Sequence, residues 1–279
     1  MTRESDRLAL VTIAALDLRR RPDHRAELRS QLLLGEVVRM KATAKSGQWV
    51  RVENLVDGYR GWARAWGLHP VAHAEAIEWA RAAQLRVNVR YAEIRTGPGR
   101  GALVSPAFMN ARVRSLRARS GGAGGWRRVA MPDVKSGWIE SRAVTARATG
   151  NMTLASQVRS LVGVPYLWGG RTPLGFDCSG FVQQLLAARG VRLPRDAREQ
   201  YLSARLLRKT ERPRTGDLVF FGPGPGRISH VGIMVGHQVF AHARGTVRLN
   251  SLDQRNRLCD CALAKQLRGF GRPDPRWCP

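Results

Sequence analysis

Three residues of types that work together in catalysis stand in the C-terminal half of the chain: Cys178, His230 and His242. A cysteine nucleophile needs a neighbouring base to take its proton, and usually a third polar group that orients this base. Cys178 follows a glycine-rich loop and begins an apolar helical pattern that stops before Gly190. Because a helix N-terminus favours a thiolate over a thiol, this position predicts a nucleophilic cysteine.

The two histidines lie on apolar runs that predict strands over 229–236 and 239–243. Their 12-residue separation fits adjacent antiparallel strands joined by a turn at Gly236-His237. We therefore expect His230 to face the thiol and His242 to hold the other nitrogen of the His230 ring. A cysteine-bearing helix that packs on such strands is an α+β arrangement.

Other apolar patterns predict the elements that support these residues. A helix is expected over 154–162, a second from about 193–197 onward, and a buried strand over 217–221. In the N-terminal half, 8–18 is expected to form one strand and 73–83 a short connecting helix.

The N-terminal half contains an internal repeat. Arg19 and Arg95 are 76 residues apart, Trp49 and Trp126 are 77 apart, and Trp62 and Trp138 are 76 apart. Three anchors at one offset indicate two copies of one module. Short alternating segments with glycine and proline between them predict small all-β barrels.

The basic charge does not by itself indicate a nucleic-acid partner. The net charge is +26, but arginines are spread over the whole chain and only five of the 47 basic residues are lysines. This favours a compositional bias over a binding stripe, so we expect no nucleic-acid site. No apolar run reaches the roughly 18 residues of a membrane span. Mixed charges around 8–18 argue against a signal peptide, so a cytoplasmic protein is expected, or a mature form whose leader has been removed.

Three further cysteines lie near the C-terminus: Cys259, Cys261 and Cys278. They allow one disulfide or a weak metal-like cluster, but no histidine stands at ligand spacing beside them. Free thiols in a reducing compartment are therefore expected, with neither a metal nor a cofactor.

The region from residue 149 to 279 resembles the catalytic domain of the NlpC/P60 cysteine peptidases, cell-wall hydrolases with a papain-like arrangement. The resemblance rests on segments that occur in the family's order: 163–166, 168–170, 176–182, 193–195, 216–221, 229–233 and 240–243. It implies that Cys178 is the nucleophile, His230 the base and His242 the orienting residue. It also makes Tyr166 the pocket tyrosine, and the backbone N–H of Cys178 a donor to the oxyanion.

The two repeated modules resemble bacterial SH3-like domains, through their Leu-Arg or Ile-Arg opening, their Gly-x-Trp strand and their closing Gly-Trp. The expected domains are a first SH3-like domain over 1–70, a connecting helix and second SH3-like domain over 71–148, and the catalytic domain over 149–279.

This domain order resembles the subgroup that cleaves γ-D-glutamyl–diamino acid bonds in murein peptides. In that subgroup the first module leans over the active site, and the substrate needs a free L-Ala amine. The resemblance implies that this amine is bound by four residues, Asp177, Ser179, Glu36 and Tyr59, and that Tyr166 is a further substrate-binding residue. Asp177 has a competing role as the helix N-cap.

The sequence therefore predicts a cysteine endopeptidase that acts on L-Ala-γ-D-Glu-diamino acid peptides in cell-wall recycling. One alternative is an exported hydrolase of intact murein whose SH3-like modules bind the wall. Another is a wall-binding protein that has lost catalysis, although the intact Cys178, His230 and His242 argue against it. The residues determine neither the diamino acid nor the oligomeric state.

Overall fold

A computed structural model describes residues 7–116, 124–133, 135–146 and 152–279. The chain divides into two compact units, Met1–Gly150 and Asn151–Pro279. Among the described residues, no helix combines the length and the apolar composition that crossing a bilayer requires.

The first unit begins with a seven-stranded antiparallel sheet. Its strands are β1 (Leu8–Val11), β2 (Ala15–Arg19), β3 (Leu28–Leu33), β4 (Val37–Thr43), β5 (Trp49–Asn54), β6 (Arg60–Arg64) and β7 (Leu68–Val71). They are ordered β3-β2-β6-β5-β4-β1-β7. A 3-10 turn over Ala65–Gly67 leads into β7.

A second seven-stranded sheet follows the helix α1 (His73–Ala82). Its strands are β8 (Leu85–Val87), β9 (Tyr91–Arg95), β10 (Leu103–Phe108), β11 (Arg112–Ser115), β12 (Trp126–Ala130), β13 (Ser136–Glu140) and β14 (Val144–Thr145). Their order is β10-β9-β13-β12-β11-β8-β14, which reproduces the first sheet strand for strand.

The repeated residues of the sequence occupy equivalent positions in the two sheets. Arg19 in β2 lies opposite Trp62 in β6, and Arg95 in β9 lies opposite Trp138 in β13. The constant spacing along the chain therefore corresponds to one strand pairing that is built twice.

The prediction of a single strand over 8–18 is wrong. The apolar run forms two strands, because the chain leaves β1 at Thr12, whose N–H donates to the carbonyl of Gly67. β1 pairs with β4 and β7, whereas β2 pairs with β3 and β6. One hydrophobic run thus supplies two separate strands to the same core.

The second unit combines helices with a six-stranded antiparallel sheet. Its elements are α2 (Leu154–Leu161), β15 (Arg171–Thr172), β16 (Gly175–Phe176), α3 (Cys178–Ala187), α4 (Ala197–Ser203), β17 (Arg205–Leu206), β18 (Leu218–Phe221), β19 (His230–Met234), β20 (Val239–Arg244), β21 (Thr246–Ser251), α5 (Cys261–Ala264) and β22 (Leu267–Arg272). The sheet order is β17-β22-β18-β19-β20-β21, and β15 pairs with β16 alone. The predicted helices and histidine strands are confirmed to within a few residues.

Helix α3 is the buried centre of this unit. Every residue from Cys178 to Leu186 is buried, and the helix packs against β19 and β20. Its first turn touches the glycine loop that precedes it. A Cβ atom on Gly180 would lie 2.2 Å from the carbonyl oxygen of Gly170, a distance that no side chain tolerates. The glycines of both segments therefore allow the cysteine-bearing turn to lie directly on the loop.

Candidate active site

Cys178 is the first residue of α3, and the residue before it fixes the start of the helix. The Asp177 carboxylate accepts a 2.7 Å hydrogen bond from the N–H of Gly180, which is the N-cap interaction expected at this position. The Cys178 sulfur lies against the backbone N–H of Val231, the residue that follows His230. The nucleophile and the start of the first histidine strand therefore meet.

The two histidines form a hydrogen-bonded chain with an asparagine. His230 Nε2 lies 2.7 Å from His242 Nδ1, and His242 Nε2 lies 2.8 Å from Oδ1 of Asn250. The amide of Asn250 in turn donates from Nδ2 to the carbonyl oxygen of Leu258, at 2.7 Å. Strands β19, β20 and β21 are neighbours in the sheet, so the three side chains reach one another across it.

This chain determines which ring nitrogens carry protons. Because Asn250 uses its Nδ2 group on Leu258, its Oδ1 atom faces His242 and can only accept. His242 Nε2 must then carry the proton, so neutral His242 accepts at Nδ1 from His230 Nε2. In neutral His230 the lone pair is left on Nδ1. The arrangement prepares His230 to take a proton at that nitrogen.

Burial shifts the pKa values of Cys178, His230 and His242 in the direction of their uncharged forms. It raises the pKa of Cys178 to about 12, with a further contribution from the charge of Asp177. Burial also lowers the pKa of His230 to about 3 and that of His242 to about 4. Burial therefore opposes the thiolate that the helix N-terminus favours, and the nucleophilic role of Cys178 stays a prediction. Burial thus favours the uncharged forms of both groups, the thiol of Cys178 and the imidazole of His230.

A buried arginine, which the sequence argument did not assign, holds the two residues that flank the cysteine. Arg195 donates to both carboxylate oxygens of Asp177, at 3.1 and 2.5 Å, and to the hydroxyl of Ser179 at 3.0 Å. The N–H of Gly169 donates to the same carboxylate at 3.0 Å. Asp177 is therefore charge-compensated by Arg195, in addition to capping α3.

Tyr166 lies at the opening of the site. It lines a cavity of about 330 Å³ together with His230 and Arg244. Burial, Cys178 and Asp177 together raise its pKa above the usual range of a tyrosine. Among the described residues, no group of three or more His, Cys, Asp or Glu side chains is placed to hold a metal ion.

Glu36 and Tyr59 lie in the first unit, where both make contacts of their own. The buried Glu36 carboxylate accepts from the N–H of Leu33 at 3.1 Å and from Nδ2 of Asn54 at 3.0 Å. The Tyr59 ring lies beneath the Arg29 guanidinium, whose centre is 5.1 Å from the ring centroid. Their role in binding substrate stays a prediction.

Sequence reasoning missed Asn250 and the role of Arg195. Asn250 pairs with Phe240 in the β20–β21 ladder, so it lies diagonally from His242. In the sequence, the signal for Asn250 was a polar residue eight positions after His242, on the strand that follows it in the hairpin. Arg195 belongs to the segment 193–195 that resembles the family, but only the fold shows that it reaches the start of α3.

We expect Asn250→Ala to lower kcat/KM by about 10- to 100-fold, the usual loss when an outer hydrogen-bond partner of a functional histidine is removed. Without the Oδ1 acceptor, His242 no longer has a preferred tautomer. Asn250→Asp keeps the acceptor and adds a negative charge, which should raise the pKa of the histidines and move the acid limb of the pH profile upward. Exposed His237 provides the control variant, His237→Ala. Unchanged kinetics in Asn250→Ala would contradict the hydrogen-bond chain.

Arg195→Ala should destabilise the C-terminal unit by about 3–5 kcal/mol, because it leaves the buried Asp177 carboxylate without its partner. Arg198, on the exposed side of α4, is the matched control, and its alanine variant should stay within about 0.5 kcal/mol of the wild type. Urea unfolding measures both. Equal stabilities would show that the ion pair is dispensable.

Acidification should destabilise the unit between pH 6.5 and the lowered histidine pKa values of about 3 and 4. In this window the unfolded chain binds protons that the folded chain does not, so the free energy of unfolding decreases as the pH falls. Urea midpoints at pH 7 and pH 5 measure the effect. His230→Gln removes one titrating group and should show a smaller difference between the two pH values. An equal difference would contradict the assignment.

Comparisons with known proteins identify the families of two segments of the chain. Residues 163–262 match the NlpC/P60 family, and residues 18–67 match the bacterial dipeptidyl-peptidase Sh3 domain. A crystal structure of an NlpC/P60 family protein from Bacillus cereus superposes with a TM-score of 0.80, covering 95% of this chain and 99% of that one. At 22% identity this likeness concerns the fold.

Two curated relatives bear on the domain arrangement. Dipeptidyl-peptidase 6 of Lysinibacillus sphaericus is 25% identical, over 94% of this chain and 98% of its own. The gamma-D-glutamyl-L-lysine dipeptidyl-peptidase of Bacillus subtilis is 41% identical over 87 residues, which are 30% of this chain and 29% of its own. The chain spans between 21% and 29% of the length of the first curated relatives that it matches. The chain therefore carries an NlpC/P60 domain in its C-terminal unit and a bacterial SH3 domain in its N-terminal unit.

Proposed function

We propose that the protein is a cysteine peptidase that hydrolyses amide bonds of peptides derived from peptidoglycan. The observation that carries this proposal is the His230–His242–Asn250 chain, which leaves a basic nitrogen on His230 next to the segment that meets Cys178. The NlpC/P60 match supports the choice of peptidoglycan peptides as substrates.

In the proposed reaction His230 Nδ1 takes the proton of the Cys178 thiol as the sulfur attacks the carbonyl carbon. The oxyanion that forms lies at the N-terminus of α3, where the N–H of Cys178 donates to it. The imidazolium returns its proton to the leaving amine, and a thioester remains. Water then attacks the thioester, with His230 again taking the proton, and releases the acid and the thiol.

We further propose that the bond is the one between γ-D-Glu and a diamino acid, in peptides with a free N-terminal L-Ala. The names of the two relatives support it: the one that matches over almost its whole length is called dipeptidyl-peptidase 6, and the other is called a gamma-D-glutamyl-L-lysine dipeptidyl-peptidase. In this proposal the second sheet is a second SH3-like module and the catalytic unit has a papain-like arrangement. The protein would act in the cytoplasm during cell-wall recycling.

Tyr166, Asp177, Ser179, Glu36 and Tyr59 are the proposed substrate-binding residues. Since Arg195 already balances the Asp177 carboxylate, Asp177 alone adds little net negative charge for a substrate ammonium. Tyr59→Phe is a better first test than Glu36→Gln, because the Glu36 carboxylate also holds the turn at Leu33.

The deciding experiment compares L-Ala-γ-D-Glu-diamino acid peptides that have free or acetylated amines. We expect acetylation to lower kcat/KM by about 10²-fold or more, because a site that binds an ammonium leaves polar groups unpaired when the charge is missing. Mass spectrometry of the products identifies the bond. Comparable rates on the two peptides would favour the alternative, an exported hydrolase of intact murein.

A further inference from the structure

Two thiols outside the proposed catalytic residues are in contact. The sulfur atoms of Cys259 and Cys261 lie 3.3 Å apart, and both residues are accessible to solvent, Cys261 being the more exposed. All four cysteines of the chain are free thiols. A disulfide has a sulfur–sulfur distance of about 2.05 Å, so these two atoms need to approach by only about 1.2 Å.

The local charges suit thiol chemistry at this pair. Asp260, between the two cysteines, would oppose a thiolate, but Arg244 binds its carboxylate at 2.6 Å and Arg248 lies 3.8 Å from it. The contact with Cys261 raises the pKa of Cys259, so Cys259 stays protonated to a higher pH. Exposed Cys261 is the thiol that reacts first.

The pair adjoins the hydrogen-bond chain of the active site. Leu258, directly before Cys259, accepts at its carbonyl from both Asn250 Nδ2, at 2.7 Å, and the N–H of Ser251, at 3.0 Å. A change in the backbone at Cys259 therefore acts on the residue that orients His242. A second connection runs through Arg244, which binds Asp260 and lines the same cavity as His230.

We propose that Cys259 and Cys261 form a thiol–disulfide pair that oxidised low-molecular-weight disulfides convert to an intramolecular disulfide, and that this disulfide weakens the orientation of the catalytic histidines through Leu258 and Asn250. The second clause rests on the proposed peptidase function; the first does not.

The reaction balances with glutathione disulfide as the oxidant. The Cys261 thiolate attacks one sulfur of the oxidant, forms a mixed disulfide and releases one glutathione. Cys259 then loses its proton and attacks the Cys261 sulfur, which forms the internal bond and releases the second glutathione. The two protein thiols are oxidised by two electrons, and the oxidant is reduced to two thiols.

Peptide mapping of the full chain tests the covalent step without an activity assay. The protein is equilibrated with mixtures of reduced and oxidised glutathione, quenched in acid, alkylated and digested with trypsin. Cleavage after Arg257 and Lys265 gives one peptide, 258–265, that holds both cysteines and no other. We expect this peptide to lose two hydrogens without gaining an adduct, whereas Cys278 gains glutathione.

Two variants make the mapping specific. Cys278→Ser should leave the internal disulfide unchanged, and Cys261→Ser should abolish it and leave only an adduct on Cys259. The proposal is overturned if 258–265 stays reduced while Cys278 is modified, or if it collects glutathione on both cysteines.

The coupling is tested in the Cys278→Ser variant by two measurements, the alkylation rate of Cys178 and kcat/KM. The alkylation rate does not depend on the proposed peptidase activity. We expect the internal disulfide to lower both the alkylation rate of Cys178 and kcat/KM by about 2- to 30-fold, the range of couplings through packed networks. A dithiol reductant should restore both, and a Cys259→Ser, Cys261→Ser double variant should not respond. An oxidised protein with an unchanged Cys178 alkylation rate would overturn the coupling, whether or not the protein cleaves murein peptides.

Discussion

Replacing Cys178 with alanine is expected to abolish hydrolysis of murein peptides and to leave the fold intact. The thiol is the only group proposed to form the bond to the substrate carbonyl, so its loss should reduce kcat by about 10⁵- to 10⁶-fold, as for other nucleophiles in a catalytic unit. The variant keeps a small apolar side chain at a buried helical position, so α3 should still form. Product formation followed by mass spectrometry measures the first effect, and thermal unfolding measures the second.

Cys278→Ala is the matched control for Cys178→Ala, because this cysteine is exposed near the C-terminus. It should retain the activity and the stability of the wild type. Substantial activity in Cys178→Ala would contradict the proposed mechanism. A wild-type protein that hydrolyses none of these peptides would instead favour a wall-binding protein without catalysis.

His230→Ala should cost nearly as much as the loss of the thiol. With the pKa of Cys178 near 12, the thiol loses its proton at neutral pH only when a base accepts it, and His230 is the histidine next to the Val231 contact. The effects of substituting residues that act as one catalytic unit are not additive. The double variant, Cys178→Ala with His230→Ala, should therefore be no slower than either single variant. Single-turnover rates on the same peptide measure this.

His242→Ala should be milder than His230→Ala, because His242 orients the base and does not touch the substrate in this mechanism. Exposed His237 again serves as the control. If His230→Ala kept more activity than His242→Ala, the assignment of base and orienting residue would have to be reversed.

The alternative of an exported murein hydrolase makes different demands on the same chain. It requires activity on stem peptides that are still attached to glycan and so have no free amine. It also requires that the modules of the first unit bind wall material. The comparison of free and acetylated peptides separates the two functions, and the Cys178 and His230 variants should be inactive under either.

The local patterns of the sequence predict much of the catalytic unit. The start of a helix at Cys178 follows from the N-cap Asp177 and the apolar face behind it. The histidine hairpin follows from two short apolar runs around a turn, because strand alternation and turn residues are local signals. The repeat in the N-terminal half also predicts, from spacing alone, that one module occurs twice.

The remaining features of the site depend on contacts between segments that are distant in the chain. Arg195 reaches Asp177 because α4 follows a loop that returns to the start of α3, and no local pattern encodes that return. Asn250 completes the histidine chain because β21 lies beside β20 in a particular register. The raised pKa of Cys178 has the same origin: the helix N-terminus can be predicted from the sequence, but the burial that opposes a thiolate comes from packing against β19 and β20.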